Sequence, residues 1–229
     1  MKSQQIYITL DLDWLADEYL SASLDILEKY RVKATIFATH ESALLRELDP
    51  LDYEIGLHPN FDQGDGRFNL EALYDLHRLY PKAVGTRSHT LLFGSRLLPE
   101  LRRCRMKYES NIFMFMHEGL HCVARTNEIT SVPFNWSDDK HLELECDFDV
   151  AELPLLSNHG LNVFNFHPVH IYLNTDVYSR YESAKGSFNR PEMSEYINQK
   201  RGIGTLFENL CKNIANSDVE SGLLSDLVI

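Results

Sequence analysis

The sequence contains few cysteines, fewer basic than acidic residues and no long apolar run. Its four cysteines form no CxxC pair, which favours reduced, mostly structural thiols. The 22 basic against 34 acidic residues give a net charge of −12, so no basic face for nucleic acid is evident. No stretch approaches the roughly 18 apolar residues of a membrane span, and the N-terminal segment is too acidic for a signal peptide. We therefore expect a cytoplasmic protein with no transmembrane segment and no nucleic-acid partner.

No GxGxxG motif follows the first predicted strand, so a Rossmann-type cofactor enzyme is disfavoured. The chain also has no internal repeat, linker or low-complexity segment. With 44% hydrophobic and 24% charged residues, the composition is close to that of an average globular protein. A chain of 229 residues is long enough for a substantial core, and we expect a single domain over residues 1–229.

Short β-branched and aromatic runs alternate with longer amphipathic runs along the chain. The predicted strands are Gln5–Leu10, Lys33–Ala38, Tyr53–Leu57, Ala83–Thr86, Leu120–Ala124, Glu128–Val132 and Leu161–Phe166. The predicted helices are Leu15–Lys29, His40–Leu48, Leu70–Tyr80, Ser95–Arg103 and a tail from Pro191 to Ala215 that is interrupted near Gly202 and Gly204. This alternation predicts an α/β fold with a parallel sheet, and about seven such units favour a (β/α) barrel over an open sheet.

Polar, reactive side chains recur where the predicted strands end. These residues are Asp11, Asp13, His40, His58, Arg87, His89, Trp136, Asp138, Asp139 and His167. Parallel barrels place their active sites at the carboxyl ends of their strands. Polar residues scattered over the surface would not all follow the ends of strands. The sequence therefore predicts an active site at the carboxyl end of the barrel.

The segment Thr9–Trp14 holds two aspartates that are two residues apart. In an extended strand, Asp11 and Asp13 point to the same side. Two carboxylates this close repel each other unless a cation or a shared proton relieves them, so one can bind a metal while the other acts as a base. The alternative is that they end the strand and cap the following helix.

His58 directly follows a predicted strand, and Pro59 restricts the path of the loop that leaves it. Asp62 lies four residues beyond His58 and can reach the same centre through a turn. An aspartate, a histidine and one more nitrogen or oxygen ligand, with a position left open for water, match catalytic Zn²⁺ or a similar divalent ion. These residues are therefore candidates for a metal centre.

Arg87 and His167 also emerge from predicted strands. Arg87 can pair with Asp11 or Asp13 and orient its carboxylate, or it can form a structural ion pair in the barrel mouth. His167 can donate a proton to a departing amine, because histidine titrates near neutral pH. His170 can be a metal ligand, a partner of the site or a bystander, and the sequence leaves this open.

The order of these motifs resembles the polysaccharide deacetylase family (NodB homology, carbohydrate esterase family four). Thr9–Asp13 is similar to the family's Thr-Phe-Asp-Asp opening in its Asp-x-Asp form, and Lys33–Thr39 is similar to its Ala-Thr-Phe-Phe strand. Tyr53–His58 resembles the segment that carries the first metal histidine. The segments GTRSH, PFNWSDD and GLNVFNFHP resemble the arginine, tryptophan–aspartate and closing histidine motifs.

Within the family, the chain resembles the WbmS-like branch, which is encoded among bacterial surface-polysaccharide genes. The segments GLHPNF, AVGTRSHT, WSDDKH and FNFHPVHIYLNT carry this resemblance. It implies a distorted, TIM-barrel-like (β/α) barrel of about seven parallel strands. It also implies an N-acetylated sugar or glycan substrate, free or linked to a nucleotide or lipid, in O-antigen or capsule synthesis.

The resemblance further implies a metal-dependent deacetylase that hydrolyses an amide bond. It assigns Asp13, His58 and Asp62 as ligands of a divalent metal ion, expected to be Zn²⁺. It assigns Asp11 as the base and Arg87 as the residue that orients it. Asp62 stands where the family has its second metal histidine, so the third ligand has Asn60, His89 and His170 as alternatives.

In the same scheme, His167 protonates the leaving amine, and Asp138 or Asp139 tunes it. The residues expected to line the site are His89, Trp136, Asp138, Asp139 and His170. Two other functions stay open at this point. The chain can hydrolyse a non-sugar amide, or it can be a degenerate barrel that binds a glycan or a partner protein without turnover.

Overall fold

The structure is a computed structural model that describes residues 5–62, 64, 67–153 and 160–228. Within these ranges, ten strands form one sheet. Their bounds are β1 Gln5–Asp11, β2 Ala34–Ala38, β3 Tyr53–Leu57, β4 Gly85–Thr86, β5 Tyr108–Glu109, β6 Val123–Ala124, β7 Thr130–Ser131, β8 Trp136–Ser137, β9 Asn162–Phe166 and β10 Glu220–Gly222. The pairings of these strands are parallel except for that of β6 with β7, which is antiparallel.

Strand β1 lies at the centre of the sheet. On one side it pairs with β9, and on the other it pairs first with β10, through residues 5–7, and then with β2, through residues 8–11. The order continues from β2 through β3, β4 and β5 to β7, and from β9 to β8. All residues of β1 after Gln5 are buried, as expected for a strand in a parallel sheet that helices cover.

The sheet curls because the chain between β7 and β8 contacts both of its halves. The backbone N–H of Phe134 donates to the carbonyl of Ile112, just beyond β5, at 2.9 Å. The next N–H, that of Asn135, donates to the carbonyl of Val163 in β9 at 3.1 Å. The architecture is therefore the distorted (β/α) barrel that the family resemblance implies, with mainly parallel strands.

Helices follow most of the strands and pack against the sheet. Within the described residues they are α1 Asp17–Tyr30, α2 Ala43–Glu47, α3 Leu70–Leu79, α4 Leu98–Arg103, α5 Asp138–Glu143, α6 Pro168–Leu173, α7 Tyr178–Ala184 and α8 Ile203–Ala215. Helix α1 begins with Asp17 and Glu18 at its positive end and stops at Arg31, whose φ of 54° is left-handed. None of these helices is long and apolar enough to cross a bilayer.

Several short elements were not predicted from the sequence. Strands β5, β8 and β10 and helices α5, α6 and α7 are absent from the prediction, and three predicted strands shrink to the two-residue strands β4, β6 and β7. The predicted helix over residues 40–48 is also shorter, because α2 covers only Ala43–Glu47. Elements of two to seven residues show too little periodicity to be recognised without their tertiary partners.

The predicted interruption of the C-terminal helical tail is confirmed, because residues 197–202 are not helical; α8 begins at Ile203, so Gly204 itself lies inside it. The two glycines allow a close approach of backbones. A Cβ atom at Gly202 would collide with the carbonyl of Asn174, and one at Gly204 would collide with the carbonyl of Ile171. The N-terminus of α8 therefore packs directly on the C-terminal end of α6.

The hydrogen-bonded carboxylate of Glu54 lies at the amino end of the barrel. Glu54 in β3 accepts hydrogen bonds from the Tyr108 hydroxyl at 2.9 Å, the Thr35 hydroxyl at 3.1 Å and the Ser225 N–H at 2.9 Å. Burial raises the pKa of Glu54, and these donors oppose the rise without cancelling it. This network ties β2, β3 and β5 to the C-terminal segment.

Candidate active site

A cavity of about 280 Å³ opens at the carboxyl ends of β1, β3, β4 and β9. Its polar lining consists of Asp11, Asp13, His58, Ser88, His89, Thr90, Ser137, Asp139, Lys140, Glu143, Asn165 and His167. A larger cavity, of about 700 Å³, lies at the opposite end of the barrel near Lys29 and Ser221, and its described lining includes no histidine. The ionisable side chains that line the smaller cavity, and not its volume, therefore identify it as the candidate site.

Asp13, His58 and His89 place one possible ligand atom each within 4.8 Å of one another, and we call them the first ligand group. The Oδ1 atom of Asp13 lies 3.2 Å from Nε2 of His58 and 3.2 Å from Nδ1 of His89. Burial raises the pKa of Asp13, but hydrogen bonds from His58 and His89 and the charge of His167 outweigh it. The pKa of Asp13 therefore lies well below its usual value, and its carboxylate is ionised.

The hydrogen bonds of His58 make this group suitable for a metal ion. The Nδ1–H of His58 donates to the carbonyl oxygen of Arg87 at 2.7 Å, because a carbonyl can only accept. The second ring nitrogen, Nε2, is thereby directed at the Asp13 carboxylate. An outer hydrogen bond on one nitrogen with the other directed into the site is typical of metal-binding histidines. One carboxylate oxygen and two imidazole nitrogens fit Zn²⁺ or a similar divalent ion.

Asp62, predicted as the third ligand, does not join this group. Its side chain is exposed, and its Oδ1 accepts the N–H of Gly64 at 2.7 Å, so it stabilises its own turn. Its backbone forms a bridge with Phe68. His89, one of the predicted alternatives for the third ligand, lies in the first ligand group in place of Asp62. The N–H of His89 donates to the carbonyl of Pro59 at 3.1 Å, which fixes its loop against the segment that follows β3.

Arg87 is fully buried and orients Asp11. Its Nη1 lies 3.1 Å from Oδ1 of Asp11, and its guanidinium packs between the rings of Phe37 and Phe134, 4.6 and 4.3 Å from their centroids. Its Nε and Nη2 donate to the backbone and hydroxyl oxygens of Ser110, each at 2.9 Å. Burial lowers the pKa of Arg87, and the charge of Asp11 opposes this shift. These contacts leave the guanidinium one position, so the direction of the Asp11 carboxylate is also fixed.

Asn165, which was not predicted as a site residue, completes the surroundings of Asp11. Its Nδ2 donates to Oδ2 of Asp11 at 2.9 Å, and its Oδ1 accepts hydrogen bonds from the Thr9 hydroxyl, at 2.9 Å, and from Arg87. Asn165 precedes His167 by two residues, so both side chains point to the same side of the strand. That spacing is the signal in the sequence that identifies it.

His167 and Asp138 form a buried pair at the end of β9. Oδ1 of Asp138 lies 2.7 Å from Nδ1 of His167, and Oδ2 accepts the His167 backbone N–H at 2.6 Å. An ionised carboxylate can only accept, so Nδ1 carries a proton and Nε2 points into the site. Nε2 lies 3.7 Å from Oδ2 of Asp13 and 3.7 Å from Oδ2 of Asp139.

The pKa of His167 reflects these carboxylates. Burial lowers this pKa, but the charges of Asp139, Asp138 and Asp13 outweigh burial and raise it well above the usual value. These charges favour the doubly protonated imidazole over the neutral one. This is the protonation state that a general acid requires.

His170 lies beside His167 and pairs with Asp139. Its Nε2 is 3.0 Å from Oδ1 of Asp139, and its Nδ1 is 3.1 Å from the hydroxyl of Thr175. Burial raises the pKa of Asp139, but the charge of His167 and the hydrogen bond from His170 outweigh it and lower the pKa to about 2. Asp139, His167 and His170 also place ligand atoms within 4.8 Å of one another, and we call them the second ligand group.

Trp136, predicted to line the site, lies in the core instead. Its ring is fully buried, 4.7 Å from the Phe166 ring and 5.3 Å from the His141 ring. Neighbouring residues of a strand point to opposite faces, so Ser137 lines the cavity while Trp136 faces away from it.

The apolar wall of the cavity was not predicted either. It consists of Leu91, Phe113 and Phe134, and the two phenylalanine rings stack 4.7 Å apart. Leu91 and its neighbour Thr90 have left-handed φ values of 55° and 56°. The position of this loop depends on that turn, which hydrophobic periodicity does not reveal.

One cavity thus combines an ionised carboxylate with two imidazoles, a second carboxylate held by an arginine, and an imidazole paired with an aspartate. A metal-ligand set with a base and an acid beside it suits hydrolysis of an amide or ester bond.

The comparisons with known proteins agree with this chemistry. A family model described as WbmS-like polysaccharide deacetylase matches residues 8–185. A crystal structure from Bordetella bronchiseptica, described as a polysaccharide deacetylase involved in O-antigen biosynthesis, is 31% identical to this chain, with a TM-score of 0.84, and covers 91% of this chain and 90% of that one. No curated protein matches the chain significantly.

Two more distant structures share the fold. A polysaccharide deacetylase structure from Mycobacterium smegmatis is 14% identical, with a TM-score of 0.60, and covers 99% of this chain and 89% of that one. The Bc1960 peptidoglycan N-acetylglucosamine deacetylase, in complex with an N-hydroxybenzamide compound, is 13% identical, with a TM-score of 0.57 and coverages of 99% and 88%. Because the family match spans most of its length, the chain belongs to the WbmS-like family of polysaccharide deacetylases.

Proposed function

We propose that the protein hydrolyses the amide bond of an N-acetylated sugar and releases acetate. The observation that carries this proposal is that Asp11 and His167 border the first ligand group within one cavity. A base and an acid are the two proton carriers that amide hydrolysis requires, because the attacking water loses a proton and the leaving amine gains one.

The family implies a divalent metal ion, and the first ligand group comprises the residues that would hold it. When bound, the ion would polarise the acetyl carbonyl and lower the pKa of a water molecule. Two imidazoles and one carboxylate favour Zn²⁺, although its identity stays a prediction. The replacement of Asp62 by His89 leaves one negative charge in the ligand set instead of two, which preserves more of the ion's positive charge for this task.

Asp11 serves as the base in this proposal. Arg87 and Asn165 each occupy one of its carboxylate oxygens, at 3.1 and 2.9 Å. Each oxygen has a second lone pair, so the carboxylate can still accept the proton of the attacking water. The two partners fix the direction of that lone pair, which lowers the entropy cost of proton transfer.

His167 serves as the acid. Asp138 holds Nδ1–H and the backbone N–H of the same residue, so the ring cannot rotate and Nε2 stays directed into the cavity. The proton on Nε2 passes to the departing amine nitrogen, and the neutral imidazole that remains keeps its proton on Nδ1 toward Asp138. Asp138 thus positions His167 and does not itself transfer the proton.

The substrate we propose is a sugar of a bacterial surface polysaccharide, an O-antigen or a capsule. The described role of the Bordetella relative supports this assignment. The apolar wall of Leu91, Phe113 and Phe134 supports it too, because aromatic rings pack well against the C–H face of a sugar. A nucleotide or lipid link on the sugar, a cytoplasmic location and one catalytic domain over residues 1–229 belong to the same proposal.

The non-catalytic alternative depended on the missing second metal histidine. His89 places an imidazole nitrogen at the first ligand group, which supports the catalytic proposal over this alternative. Hydrolysis of a non-sugar amide stays open and is included in the test.

The test is acetate release by the purified, Zn²⁺-supplemented protein from N-acetylhexosamines, free and nucleotide-linked, and from an N-acetyl amino acid. We expect release from the sugars, and a drop in kcat of about 10²–10⁴-fold in Asp11→Asn. Asp75→Asn, which changes an exposed aspartate on α3, is the control and should keep full activity. Full activity in a folded Asp11→Asn, or release from the amino acid alone, would contradict the proposal.

A further inference from the structure

We propose that the second ligand group binds a divalent cation of its own, next to that of the first ligand group. The three atoms that would bind it are Nε2 of His170, Nε2 of His167 and a carboxylate oxygen of Asp139. Asp139 lies 3.0 Å from the first and 3.7 Å from the second of these nitrogens. Two imidazole nitrogens with one carboxylate repeat the donor set of the first ligand group.

The outer nitrogens of both histidines already have partners. Nδ1 of His167 lies 2.7 Å from Asp138, and Nδ1 of His170 lies 3.1 Å from the hydroxyl of Thr175. Thr175 and Asp138 are both fully buried, so these contacts fix the rings. A histidine bound in this way presents Nε2 as a preset ligand, which is the arrangement seen around protein metal sites.

Asp13 connects the two groups. Its Oδ1 faces His58 and His89 of the first group, each at 3.2 Å, and its Oδ2 faces His167 of the second group at 3.7 Å. A carboxylate that offers one oxygen to each of two neighbouring sites is the usual bridge of a two-metal centre, whose ions lie about 3.5–4 Å apart. The geometry thus favours one centre with two positions over two unrelated sites.

The charge around His167 also favours a cation. Three carboxylates, those of Asp13, Asp138 and Asp139, lie within 3.7 Å of its ring nitrogens. The ammonium group of Lys140, which borders the cavity, is paired with Glu143 at 2.8 Å. A divalent cation at Nε2 would balance this negative charge and release the Nε2 proton to solvent.

This second position has a consequence that rests on the proposed function. His167 cannot give a proton from Nε2 while Nε2 binds a cation. Metal beyond the first equivalent should therefore inhibit acetate release, and the second ligand group would act as an inhibitory site. A rise and then a fall of activity with metal concentration is the expected profile.

The experiment counts bound Co²⁺ by equilibrium dialysis of the full chain after chelator treatment. We expect two ions per wild-type chain and one per chain in Asp139→Asn, whose substitution changes a half-exposed side chain, and circular dichroism checks that the variant is folded. His121→Asn removes an exposed histidine outside both groups and should keep both ions. Thr175→Val should weaken the second ion by about 10–100-fold, because it removes the outer partner of His170.

One ion per wild-type chain, or two ions of unchanged affinity in Asp139→Asn, would overturn the second site. Magnetic coupling between the two Co²⁺ ions in electron paramagnetic resonance would support the Asp13 bridge, and two uncoupled ions would overturn it. The metal count does not depend on catalysis. A protein that binds two ions but releases no acetate disproves only the proposed function, and an active protein that binds one ion disproves only the second site.

Discussion

Asp13 and Glu54 lie at opposite ends of the barrel, and both are largely withdrawn from water. Burial raises the pKa of each, yet the final pKa of Asp13 lies well below its usual value and that of Glu54 lies above it. The difference comes from their partners. Asp13 faces imidazoles, which can carry positive charge, whereas Glu54 accepts hydrogen bonds from two hydroxyls and one backbone N–H.

This contrast separates a functional carboxylate from a structural one. The hydrogen bonds that Glu54 accepts from these two hydroxyls and one N–H all come from neutral groups of the protein, and they join strands to one another. The histidines around Asp13 already use their outer nitrogens, at His58 toward Arg87 and at His167 toward Asp138. The ring nitrogens that face Asp13, together with the oxygens of its carboxylate, can then share a proton or bind a metal ion.

The largest expected effect comes from Asp13→Asn. Asparagine tolerates the left-handed φ of 43° at this position, so the backbone should be kept while the ligand charge is lost. Because bound metal contributes several kcal/mol to hydrolysis, we expect kcat/KM to fall by about 10²–10⁴-fold together with the loss of bound metal. Acetate release and metal analysis measure both, and circular dichroism checks the fold. An Asp13→Asn variant that keeps both its activity and its bound metal would contradict the functional role of Asp13.

Glu54→Ala should lower the stability of the protein and leave its activity unchanged. It leaves the hydroxyls of Tyr108 and Thr35 and the N–H of Ser225 without their acceptor, so the free energy of unfolding should fall by about 1–3 kcal/mol. The kcat of the folded protein should not change, because Glu54 lies outside the cavity at the other end of the barrel. Urea unfolding measures the loss, and the exposed Glu71→Ala on α3 is the matched control. A loss of activity without a loss of stability would contradict the structural role.

The smallest expected effect is on the pH dependence of the free energy of unfolding. The pKa of Glu54 is raised in the folded state, so the folded protein retains this proton to higher pH than the unfolded chain does. Its contribution to the free energy of unfolding is complete below the unfolded pKa, near 4.5, and is lost as the pH rises through the folded pKa.

Glu54→Gln should remove this part of the pH dependence, because the amide does not titrate. Urea unfolding of wild type and Glu54→Gln at several pH values from about 4.5 upward measures the difference between their slopes. Identical slopes in the two proteins would contradict the raised pKa of Glu54 in the folded state.

The central strands and the residues next to them were predictable from the sequence. Strands β1, β2, β3 and β9 are long enough to show their apolar pattern, and the residues that directly follow or end them share one face of the barrel. Asp11, Asp13, His58 and His167 border the cavity for that reason. Arg87 was also predicted to orient Asp11, since an arginine that leaves a neighbouring strand can reach the same carboxylate.

Residues in the loops could not be placed in this way. Asp62 lies five residues beyond the end of β3, and the turn that it forms with Gly64 decides where its carboxylate points. His89 reaches the first ligand group because its loop turns back at Thr90, whose φ is left-handed. Neither turn has a signature in the hydrophobic pattern. Trp136 was misplaced for a different reason, because β8 is too short for its alternation to be read in the sequence.

The position of Arg87 has a consequence for the comparison of related sequences. Its guanidinium joins β1, β9 and the segment after β5 through Thr9, Asn165 and Ser110, while the rings of Phe37 and Phe134 enclose it. The same side chain therefore joins the strands of the barrel and orients the carboxylate of Asp11, the proposed base. A descendant that abandoned catalysis would still need this arginine to fold, whereas His89 and His167 would be free to drift. Retention of Arg87 in a relative would thus indicate an intact barrel, whereas retention of His89 and His167 would bear on the proposed activity.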